Sequence, residues 1–434
     1  MLTLQPDPVD AVHCLWRHPH CSREEILAFQ NERLRELVRH AYRNVPYYRR
    51  LFDQHGLKPE DIHTVHDLAA VPMTGKSDLQ AMPVADMLAR GQDPRRLIVH
   101  QTSGSTGQPH EIRRTWFEER LLNVFRWRTR LYYGQRPTDR CARIGLNEKH
   151  SSVHRLFQQI GLFRQTDIGC LQAPQEILRQ LCACRPQIIS GLSGAVTLVA
   201  GFMDEQTRRQ VKPRHVAVGG EVLTPAMRRQ ICEGFGAPVY NRYGSHEFNL
   251  IAWECKETGE LHTCDDGMIV EVLKDGRPAV AGERGEVVGT NLHAYAMPFI
   301  RFRLGDIVTK GADTCACGQP FSTIRDVQGR MIDYFPLPDG RLMHPYEIVE
   351  IILDVAPWIR EYQLVQQRKD RVVLRAVPVA SPVPADLARL ESALAARLGP
   401  VVQFEIELAT EIQRDASGKF RVSCSLVNSQ YDRS

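Results

Sequence analysis

Apolar residues recur at helical spacing between residues 22 and 45, where the chain reads SREEILAFQNERLRELVRHAYRNV. Ser22 and Glu25 stand three positions apart, as in a capping box, in which each side chain accepts a hydrogen bond from the backbone N–H of the other residue. The apolar positions that share one face are Ile26, Phe29, Leu34, Leu37 and Ala41. This pattern predicts a long amphipathic helix, which we expect Pro46 to end because proline has no N–H to donate.

Helix-like and strand-like segments alternate along the chain up to about residue 310. Helical patterns in PQEILRQLCACRP and TPAMRRQICEGFG are interleaved with short apolar runs in QIISG, HVAVGGE and PVYNRYGS. Such alternation is typical of an α/β core with substantially parallel strands. We therefore predict an α/β fold in which residues 1–330 form a large N-terminal domain.

The pattern changes after about residue 330. REYQLVQQ, RVVLRAVP and VVQFEIEL have the composition of short strands, and PADLARLESALAARLG has the pattern of an amphipathic helix between the last two. Residues 331–434 are therefore predicted to form a separate, small α+β domain.

Composition and charge are those of an ordinary soluble enzyme. The chain has 434 residues, of which 43% are hydrophobic and 24% are charged, and its formal net charge is +4. Basic residues are scattered among nearly as many acids, which gives no footprint for nucleic acid. No apolar run reaches the ~18 residues of a membrane span, and the N-terminus MLTLQPDPVDAVHCL lacks the order of a signal peptide. We expect a cytoplasmic protein without a membrane or nucleic-acid partner, in which the twelve cysteines are thiols or metal ligands.

Six small residues in a row, Thr-Ser-Gly-Ser-Thr-Gly at positions 102–107, follow a short apolar segment. Such a run cannot pack a core, but glycine allows successive amide groups to turn toward one anion. The pattern favours a phosphate-binding loop. A flexible Ser/Gly linker or a hairpin turn is the alternative interpretation.

Three further segments combine glycine with an acid near the end of a predicted strand: VGGEVLT (218–224), NRYGSHEF (241–248) and RFRLGDIV (301–308). Ligands of open α/β sheets bind at the carboxyl ends of strands, so Glu221, Glu247 and Asp306 could share one site with the 102–107 loop. Asp306 is expected to follow a glycine turn. Near the C-terminus, DASGKFR (415–421) sets Lys419 on a polar glycine turn.

In their order and spacing these segments resemble the adenylate-forming acid ligases, and in particular the compact phenylacetate-CoA ligase-like branch. TSGSTGQP resembles the phosphate loop of that family, YGSHE its Tyr-Gly-x-x-Glu motif, LGD its ribose-binding aspartate and SGKFR its C-terminal lysine motif. GRMID at 329–333 is similar to the family's segment at the domain junction. The resemblance covers roughly the whole chain and implies a large adenylation domain followed by a small, mobile C-terminal domain.

The resemblance also implies a site for ATP with Mg²⁺. The residues that would bind ATP or AMP are Thr102, Ser103, Gly104, Ser105, Thr106, Gly107, Gly220, Glu221, Asn241, Tyr243, Gly244, Asp306 and Arg330. Those that would line the acid pocket are Gly219, Ser245 and His246. Glu247 would hold Mg²⁺, a hard cation that takes carboxylate and phosphate oxygens. Asp306 would accept hydrogen bonds from both ribose hydroxyls, and Arg330 would support it.

Lys419 and Glu247 are the residues that the resemblance marks as catalytic. The charge of Lys419 would stabilise the reacting carboxylate and the bridging oxygen during adenylation. In this family the small domain then swings, so that Lys419 leaves and a thiol nucleophile enters, usually that of coenzyme A. An exposed surface lysine in a glycine turn is the alternative interpretation of Lys419.

The chain departs from the family pattern at three positions. Gln108 replaces the lysine that often follows the phosphate loop, which removes one charge and leaves the amides intact. His246 stands where a small or hydroxylated residue is usual, and it either shapes a different acid pocket or is a packed structural histidine. Ile332 replaces the first aspartate of the hinge pair and leaves Asp333 alone, which bears on the swing and on the second half-reaction.

Three cysteines and one histidine have the composition of a tetrahedral zinc site: Cys255, His262, Cys315 and Cys317. Some members of this branch carry a structural zinc at the corresponding place. Cys264 is the reserve ligand if His262 points away, and a group of unligated thiols is the alternative. Cys182 and Cys184 fall in a predicted helix where positions i and i+2 diverge, so we interpret them as packing residues.

The leading hypothesis is an ATP-dependent ligase that adenylates a small, aromatic or heteroaromatic carboxylic acid and transfers the acyl group to coenzyme A. A second hypothesis keeps the adenylation but passes the acyl group to an amine or to the thiol of a carrier protein. A third, from a different class, is a zinc-stabilised binding protein without turnover. Nucleic-acid binding at the zinc site is disfavoured because acids surround the ligands in sequence, namely Glu254, Glu257, Asp265 and Asp266. The oligomeric state stays open, with a homodimer as one option.

Overall fold

A computed structural model describes residues 8–75, 78–79, 82–101, 111–145, 157–223, 225–328, 335–340, 342–343, 345–379, 381–410, 412 and 423–427. These residues divide into two units. Unit 1 contains the described residues of 8–101, 111–136 and 240–328, and unit 2 contains those of 137–239 and 335–427. The predicted domain boundary between residues 330 and 331 lies outside the described residues.

The helices of the described chain are numbered in order: α1 Pro8–Trp16, α2 Arg23–Asn44, α3 Pro46–Gln54, α4 Val84–Met87, α5 Trp116–Tyr132, α6 Pro174–Cys184, α7 Ser193–Gly201, α8 Glu205–Gln210, α9 Pro225–Phe235, α10 Tyr346–Val355 and α11 Pro384–Leu398. Short 3₁₀ helices occupy His18–His20, Pro59–Asp61, Asp67–Ala70 and Pro94–Arg96. In the ranges given above, every helix is too short or too polar to cross a lipid bilayer.

The strands are numbered likewise: β1 Ile98–Gln101, β2 Glu111–Arg114, β3 Cys141–Gly145, β4 Gln165–Gly169, β5 Ile188–Leu192, β6 His215–Gly219, β7 Val239–Tyr243, β8 Ala252–Glu254, β9 Leu261–Thr263, β10 Met268–Lys274, β11 Arg277–Pro278, β12 Arg284–Asn291, β13 Phe302–Lys310, β14 Thr323–Gln328, β15 Phe335–Pro336, β16 Leu342–Met343, β17 Ile359–Arg368, β18 Arg371–Pro378, β19 Gln403–Leu408 and β20 Ser423–Ser425.

The long helix predicted for residues 22–45 is confirmed as α2. Ser22 and Glu25 form the expected capping box: Glu25 N donates to Ser22 Oγ at 3.2 Å, and Ser22 N donates to Glu25 Oε2 at 2.8 Å. The apolar face is buried at Ile26, Leu34, Leu37 and Ala41. Pro46 follows the end of α2 and also opens α3, because the first turn of a helix does not use the missing N–H.

Unit 1 contains an antiparallel sheet with the strand order β11-β10-β12-β13-β14-β9-β8-β7. The expected parallel arrangement therefore does not extend to this unit. Its strands are joined by short loops, such as residues 255–260 between β8 and β9, and a short loop returns the chain antiparallel. Together with the helices of unit 1, the sheet encloses one hydrophobic cluster that includes Tyr48, Phe52 and Trp253.

Unit 2 contains a parallel sheet with the order β6-β5-β3-β4, which confirms the β-α-β prediction for this part of the chain. Helix α6 connects β4 to β5, and α7 and α8 connect β5 to β6. Cys182 and Cys184 lie in α6 and pack against the hydrophobic cluster of this sheet, as expected.

The C-terminal part of unit 2 has its own sheet, of order β19-β18-β17-β20, and its own hydrophobic cluster. Strands β17, β18 and β19 and helix α11 lie where the sequence predicted them. Helix α10 and strand β20 were not predicted. The three residues of β20 are too few to show a period-2 pattern.

Candidate active site

The structure describes about two thirds of the predicted site residues. Those outside the described residues are Thr102, Ser103, Gly104, Ser105, Thr106, Gly107, Arg330 and Lys419, together with Gln108, Ile332 and Asp333. Unit 2 contains Gly219, Gly220 and Glu221. Unit 1 contains Asn241, Tyr243, Gly244, Ser245, His246, Glu247, Asp306 and the four candidate zinc ligands.

Tyr243 and Asp306 are brought together although 63 positions separate them in the sequence. The Tyr243 hydroxyl donates to Asp306 Oδ2 at 2.7 Å. Tyr243 is the last residue of β7 and is buried. Its hydroxyl fixes one oxygen of the aspartate. The YGSHE and LGD segments of unit 1 thus meet at a carboxylate.

The sequence predicts that Asp306 follows a glycine turn. In the structure, Asp306 instead lies inside the continuous strand β13. The register between β12 and β13 shifts between Glu286 and Val288, opposite this part of β13. Gly305 has φ of +80° at the shift, which glycine adopts without the strain of a Cβ atom. The glycine therefore makes a β-bulge, and bulges re-aim the side chains beside them.

Residues 245–249 form a tight turn directly after β7. Asn249 N donates to Ser245 O at 2.8 Å, and Ile251 N donates to Tyr243 O at 2.9 Å. A Cβ atom on Gly244 would lie 2.2 Å from Asn249 O, so only glycine fits where the turn folds back. The turn therefore holds His246 and Glu247 next to the end of β7.

The two charged or titratable residues of this turn differ in burial. Glu247 is 3% exposed, and its carbonyl oxygen accepts from Asn291 Nδ2 at 3.1 Å. His246 has an exposed side chain, which is inconsistent with its interpretation as a packed structural histidine. A buried carboxylate and an exposed imidazole thus occupy adjacent positions.

Sequence reasoning missed a group of charged residues that contacts this turn. Glu119 on α5 accepts from His100 Nε2 at 2.9 Å and from Arg114 Nη1 at 3.1 Å. Nη2 of Arg114 donates to the carbonyl oxygen of His246. Burial opposes ionisation of Glu119, but the hydrogen bonds from His100 and Arg114 lower its pKa to about 2. Strands β1 and β2 are thereby linked to α5 and to the turn.

In unit 2, Glu221 has a structural contact that the sequence did not indicate. Its Oε2 accepts from Gly194 N at 2.7 Å, and its carbonyl oxygen accepts from Ser193 Oγ at 3.2 Å. Both donors lie in the first turn of α7. A carboxylate at a helix N-terminus satisfies an N–H that has no partner within the helix. Glu221 therefore stabilises α7, whatever it does toward a ligand.

The four candidate zinc ligands of unit 1 form a compact group: Cys255, His262, Cys315 and Cys317 have ligand atoms that all lie within 4.8 Å of one another. A tetrahedral zinc with Zn–S bonds of ~2.3 Å spaces its sulfurs by about 3.8 Å, which this group can accommodate. Nε2 of His262 is 3.3 Å from Cys317 Sγ, whereas Nδ1 is buried without a hydrogen-bond partner in the described chain. Three thiols and a buried imidazole therefore fit a Zn²⁺ ion.

The electrostatics of this group differ from one ligand to the next: His262 and Cys255 are set up for metal binding, whereas Cys317 needs the charge of a cation to lose its proton. Burial and the charge of Arg128 lower the pKa of His262 to about 4, so the ring is neutral, as a ligand must be. Burial opposes ionisation of Cys255, but hydrogen bonds from Thr258, Tyr132 and the Glu257 N–H lower its pKa to about 7. Burial raises the pKa of Cys317 to about 12 in the absence of a cation.

Cys264, the reserve ligand, lies outside this group. Its Sγ accepts from Arg128 Nη2 at 3.4 Å. Arg128 Nη1 also donates to Asp266 Oδ2 at 2.5 Å, and His18 Nδ1 lies 2.9 Å from the same oxygen. The guanidinium occupies the position beside Asp266 that a cation would need. Cys264, Arg128, Asp266 and His18 therefore form an ion-pair network, in which Arg128 supplies the positive charge.

Three of the four acids that lie near the zinc ligands in sequence are buried and paired. Asp265 and Asp266 are at most 2% exposed and bind Arg23 and Arg128. Glu254 is 7% exposed and accepts from Asn241 N at 2.8 Å. Of the four acids that argue against a nucleic-acid partner, Glu257 alone is exposed.

Comparisons with known proteins agree with this architecture. The sequence model of the CapK C-terminal domain matches residues 336–425. A phenylacetate-coenzyme A ligase of Thermus thermophilus is 29% identical over 362 residues, which cover 80% of this chain and 79% of that protein. A phenylacetate-coenzyme A ligase of Aromatoleum evansii is 30% identical over 312 residues, which cover 66% of this chain and 67% of that protein.

Solved structures give the same fold. A 2-hydroxyisobutyryl-CoA ligase in an open conformation, in complex with 2-HIB-AMP and CoA, superposes with a TM-score of 0.63 at 22% identity and covers 95% of this chain and 94% of its own. The same ligase in its thioesterification state gives a TM-score of 0.64 at 21% identity, with 98% and 94% covered. The α/β architecture with a large N-terminal and a smaller C-terminal domain is thus confirmed.

Proposed function

Because the chain belongs to the phenylacetate-coenzyme A ligase family, whose members are AMP-forming acid–coenzyme A ligases, we propose that its acid is a small aromatic or heteroaromatic carboxylate. The observation that supports an aromatic acid is the 30% identity with a relative named for phenylacetate. The contact between Tyr243 and Asp306 supports a shared nucleotide site for two of the motifs.

The proposed reaction has two balanced steps. In the first, a carboxylate oxygen of the acid attacks the α-phosphorus of ATP, an O–P bond forms, and pyrophosphate leaves. In the second, the thiol sulfur of coenzyme A attacks the acyl carbon, a C–S bond forms, AMP leaves with the electron pair, and the thiol proton is released. Both steps concentrate negative charge, which preorganised donors and cations stabilise in a site that excludes water.

We assign the residues of this chain to these steps as follows. The backbone N–H groups and hydroxyls of residues 102–107 would cradle the phosphates. Asp306 would accept from the ribose hydroxyls while Tyr243 orients its carboxylate. Lys419 would stabilise the charge that develops on the carboxylate and the bridging oxygen.

Two metal ions belong to the proposal. Glu247 would hold the Mg²⁺ that accompanies ATP, because a buried carboxylate is a hard oxygen ligand. Mg²⁺ would neutralise part of the negative charge of the phosphates. The group of Cys255, His262, Cys315 and Cys317 would hold a structural Zn²⁺, and a closed set of four protein ligands leaves no position for chemistry.

Coenzyme A is the acceptor that the relatives support. Transfer to an amine or to a carrier-protein thiol is an outcome that the experiment distinguishes. We propose a cytoplasmic location, where ATP and coenzyme A are supplied and the thiols of the metal site stay reduced.

The test is carboxylate-dependent exchange of pyrophosphate into ATP over a panel of aryl, heteroaryl and short aliphatic acids. We expect exchange with an aryl or heteroaryl acid, and we expect Lys419→Ala to abolish it. Exchange only with short aliphatic acids would refute the aromatic substrate. Exchange without a thioester on addition of coenzyme A would favour an amine or a carrier protein. No exchange with any acid would favour a protein without turnover.

A further inference from the structure

The residues that flank the Ser/Thr/Gly loop form a hairpin in unit 1. Strands β1 and β2 pair in the register Ile98 with Arg114 and His100 with Ile112. Residues 102–110, which join the two strands, lie outside the described residues. The described residues on either side of that segment, Gln101 and Glu111, pair with each other and are therefore positioned by whatever holds the hairpin.

One carboxylate holds both strands of the hairpin. Glu119 Oε2 accepts from His100 Nε2 at 2.9 Å on β1 and from Arg114 Nη1 at 3.1 Å on β2. The side chains are 28% exposed for His100, 4% for Arg114 and 17% for Glu119, so water competes little for these hydrogen bonds. Charge-assisted hydrogen bonds of this kind are stronger than neutral ones and fix the geometry of both partners.

Glu119 also reaches the turn of residues 245–249 by two paths. Arg114 Nη2 donates to the carbonyl oxygen of His246. That oxygen belongs to the peptide group that joins His246 to Glu247. Asn123 Nδ2 donates to Glu119 Oε1 at 3.3 Å, and Asn249 Nδ2 donates to Asn123 Oδ1 at 3.4 Å. Both oxygens of one carboxylate are thus used to link the hairpin with His246 and Asn249 of the turn.

The helix that carries Glu119 is itself fixed. Thr115 and Glu118 form a capping box at the start of α5. Glu118 is 1% exposed, and its Oε1 accepts from Tyr295 N at 2.6 Å and from Ala296 N at 2.8 Å. Glu119 therefore sits one residue from an anchored position, which is what a positioning residue requires.

We propose that Glu119 is a positioning residue that sets the spacing between the β1–β2 hairpin and the turn bearing Glu247, and thereby the affinity of the enzyme for ATP with Mg²⁺. The proposal rests on the proposed function, in which the loop carried by the hairpin binds the phosphates and Glu247 holds Mg²⁺. Glu119 touches neither ligand and acts through Arg114 and the backbone of the turn.

The matched control lies on the same hairpin. Glu111 on β2 accepts from Arg113 Nη2 at 2.5 Å, and Arg113 donates to Pro94 O at 2.9 Å. Within the described chain, these two side chains form no hydrogen bond with α5 or with the 245–249 turn. Glu111→Gln and Glu119→Gln therefore each remove a carboxylate that pairs with an arginine of β2, and only the second weakens the link to the turn.

The test measures pyrophosphate exchange at saturating acid with varied ATP, then at saturating ATP with varied acid, and the thermal midpoint of each variant. We expect Glu119→Gln to raise the KM for ATP about tenfold, which corresponds to losing one charge-assisted hydrogen bond. The KM for the acid should change less than twofold. A purely structural role would lower the thermal midpoint without this selectivity.

Arg114→Lys provides a second variant, because lysine keeps the charge but cannot contact Glu119 and His246 O together. We expect this variant to raise the KM for ATP as well. The KM for ATP of the double variant should exceed that of the stronger single variant by no more than about twofold, because both residues act in one chain of contacts. An ATP KM for Glu119→Gln and Arg114→Lys equal to that of Glu111→Gln would overturn the proposal. Absence of exchange in the unsubstituted enzyme with every acid would instead overturn the proposed function on which it rests.

Discussion

Replacing the buried Arg128 with methionine should lower the stability of the protein far more than replacing an exposed, ion-paired arginine with methionine. The guanidinium is 4% exposed, donates to Asp266 at 2.5 Å, and lies 4.5 Å from the ring centroid of Trp253. Asp266 is fully buried. Arg128→Met keeps the apolar stem but removes the guanidinium, which leaves that buried carboxylate in contact with His18 and the thiol of Cys264.

The expected magnitude follows from the burial of both charges. Removing one partner of a buried ion pair costs about 3–5 kcal/mol, because the other charge is left uncompensated. For a unit of roughly 200 residues, such a loss lowers the thermal midpoint by about 6–20 °C. The assay is thermal unfolding followed by circular dichroism at pH 7.

The control is Arg209→Met, which removes an arginine that is 74% exposed and pairs with Glu205 on α8. An exposed ion pair contributes little, so we expect a change below about 2 °C. The double variant Arg128→Met with Asp266→Asn should lose less than the sum of the single variants, because it leaves no unpaired buried charge. A thermal midpoint for Arg128→Met equal to that of Arg209→Met would refute the reasoning.

Three further outcomes are expected. Cys317→Ser should lower the zinc content measured by mass spectrometry from about one ion per chain to a small fraction, whereas Cys182→Ser should leave it unchanged. Tyr243→Phe removes a hydrogen bond to a carboxylate and should raise the KM for ATP in the exchange assay by about tenfold. Burial opposes ionisation of Glu119, but the histidine and arginine that donate to it lower its pKa to about 2. Its contribution to stability is therefore complete above about pH 4.3 and is lost as the pH falls toward 2. The difference in urea midpoint between the enzyme and Glu119→Gln should accordingly shrink from pH 7 to pH 3.

Local signals in the sequence predicted the elements that carry strong patterns. The capping box of Ser22 and Glu25 and the periodic apolar face behind it correctly gave α2. The alternation of helices and strands correctly gave the parallel sheet of unit 2, because each crossover helix there has its own apolar pattern. The sequence did not give the antiparallel sheet of unit 1, whose short strands and loops carry only weak periodicity.

In the candidate site, too, the residues that belong to a recognisable sequence motif were predicted and the isolated charged residues were not. His262 and Cys317 were grouped from residue type, and the structure brings them within 3.3 Å across 55 positions of sequence. Arg128 and Glu119 were missed because a single charged residue on a helix looks like part of a solvated face. Only the tertiary fold buries them next to partners far away in the chain. The glycine before Asp306 predicts a turn in the sequence but makes a bulge in the structure, since a bulge inside a strand has the same local composition.

The measurement that tests the central conclusion most directly is the product analysis of a reaction with ATP, coenzyme A and the acid that gives the fastest pyrophosphate exchange. An AMP-forming acid–coenzyme A ligase must release AMP, pyrophosphate and the acyl-coenzyme A thioester in equal amounts. Chromatography with mass detection quantifies all three. Formation of ADP and phosphate, or of AMP without any thioester, would contradict the account.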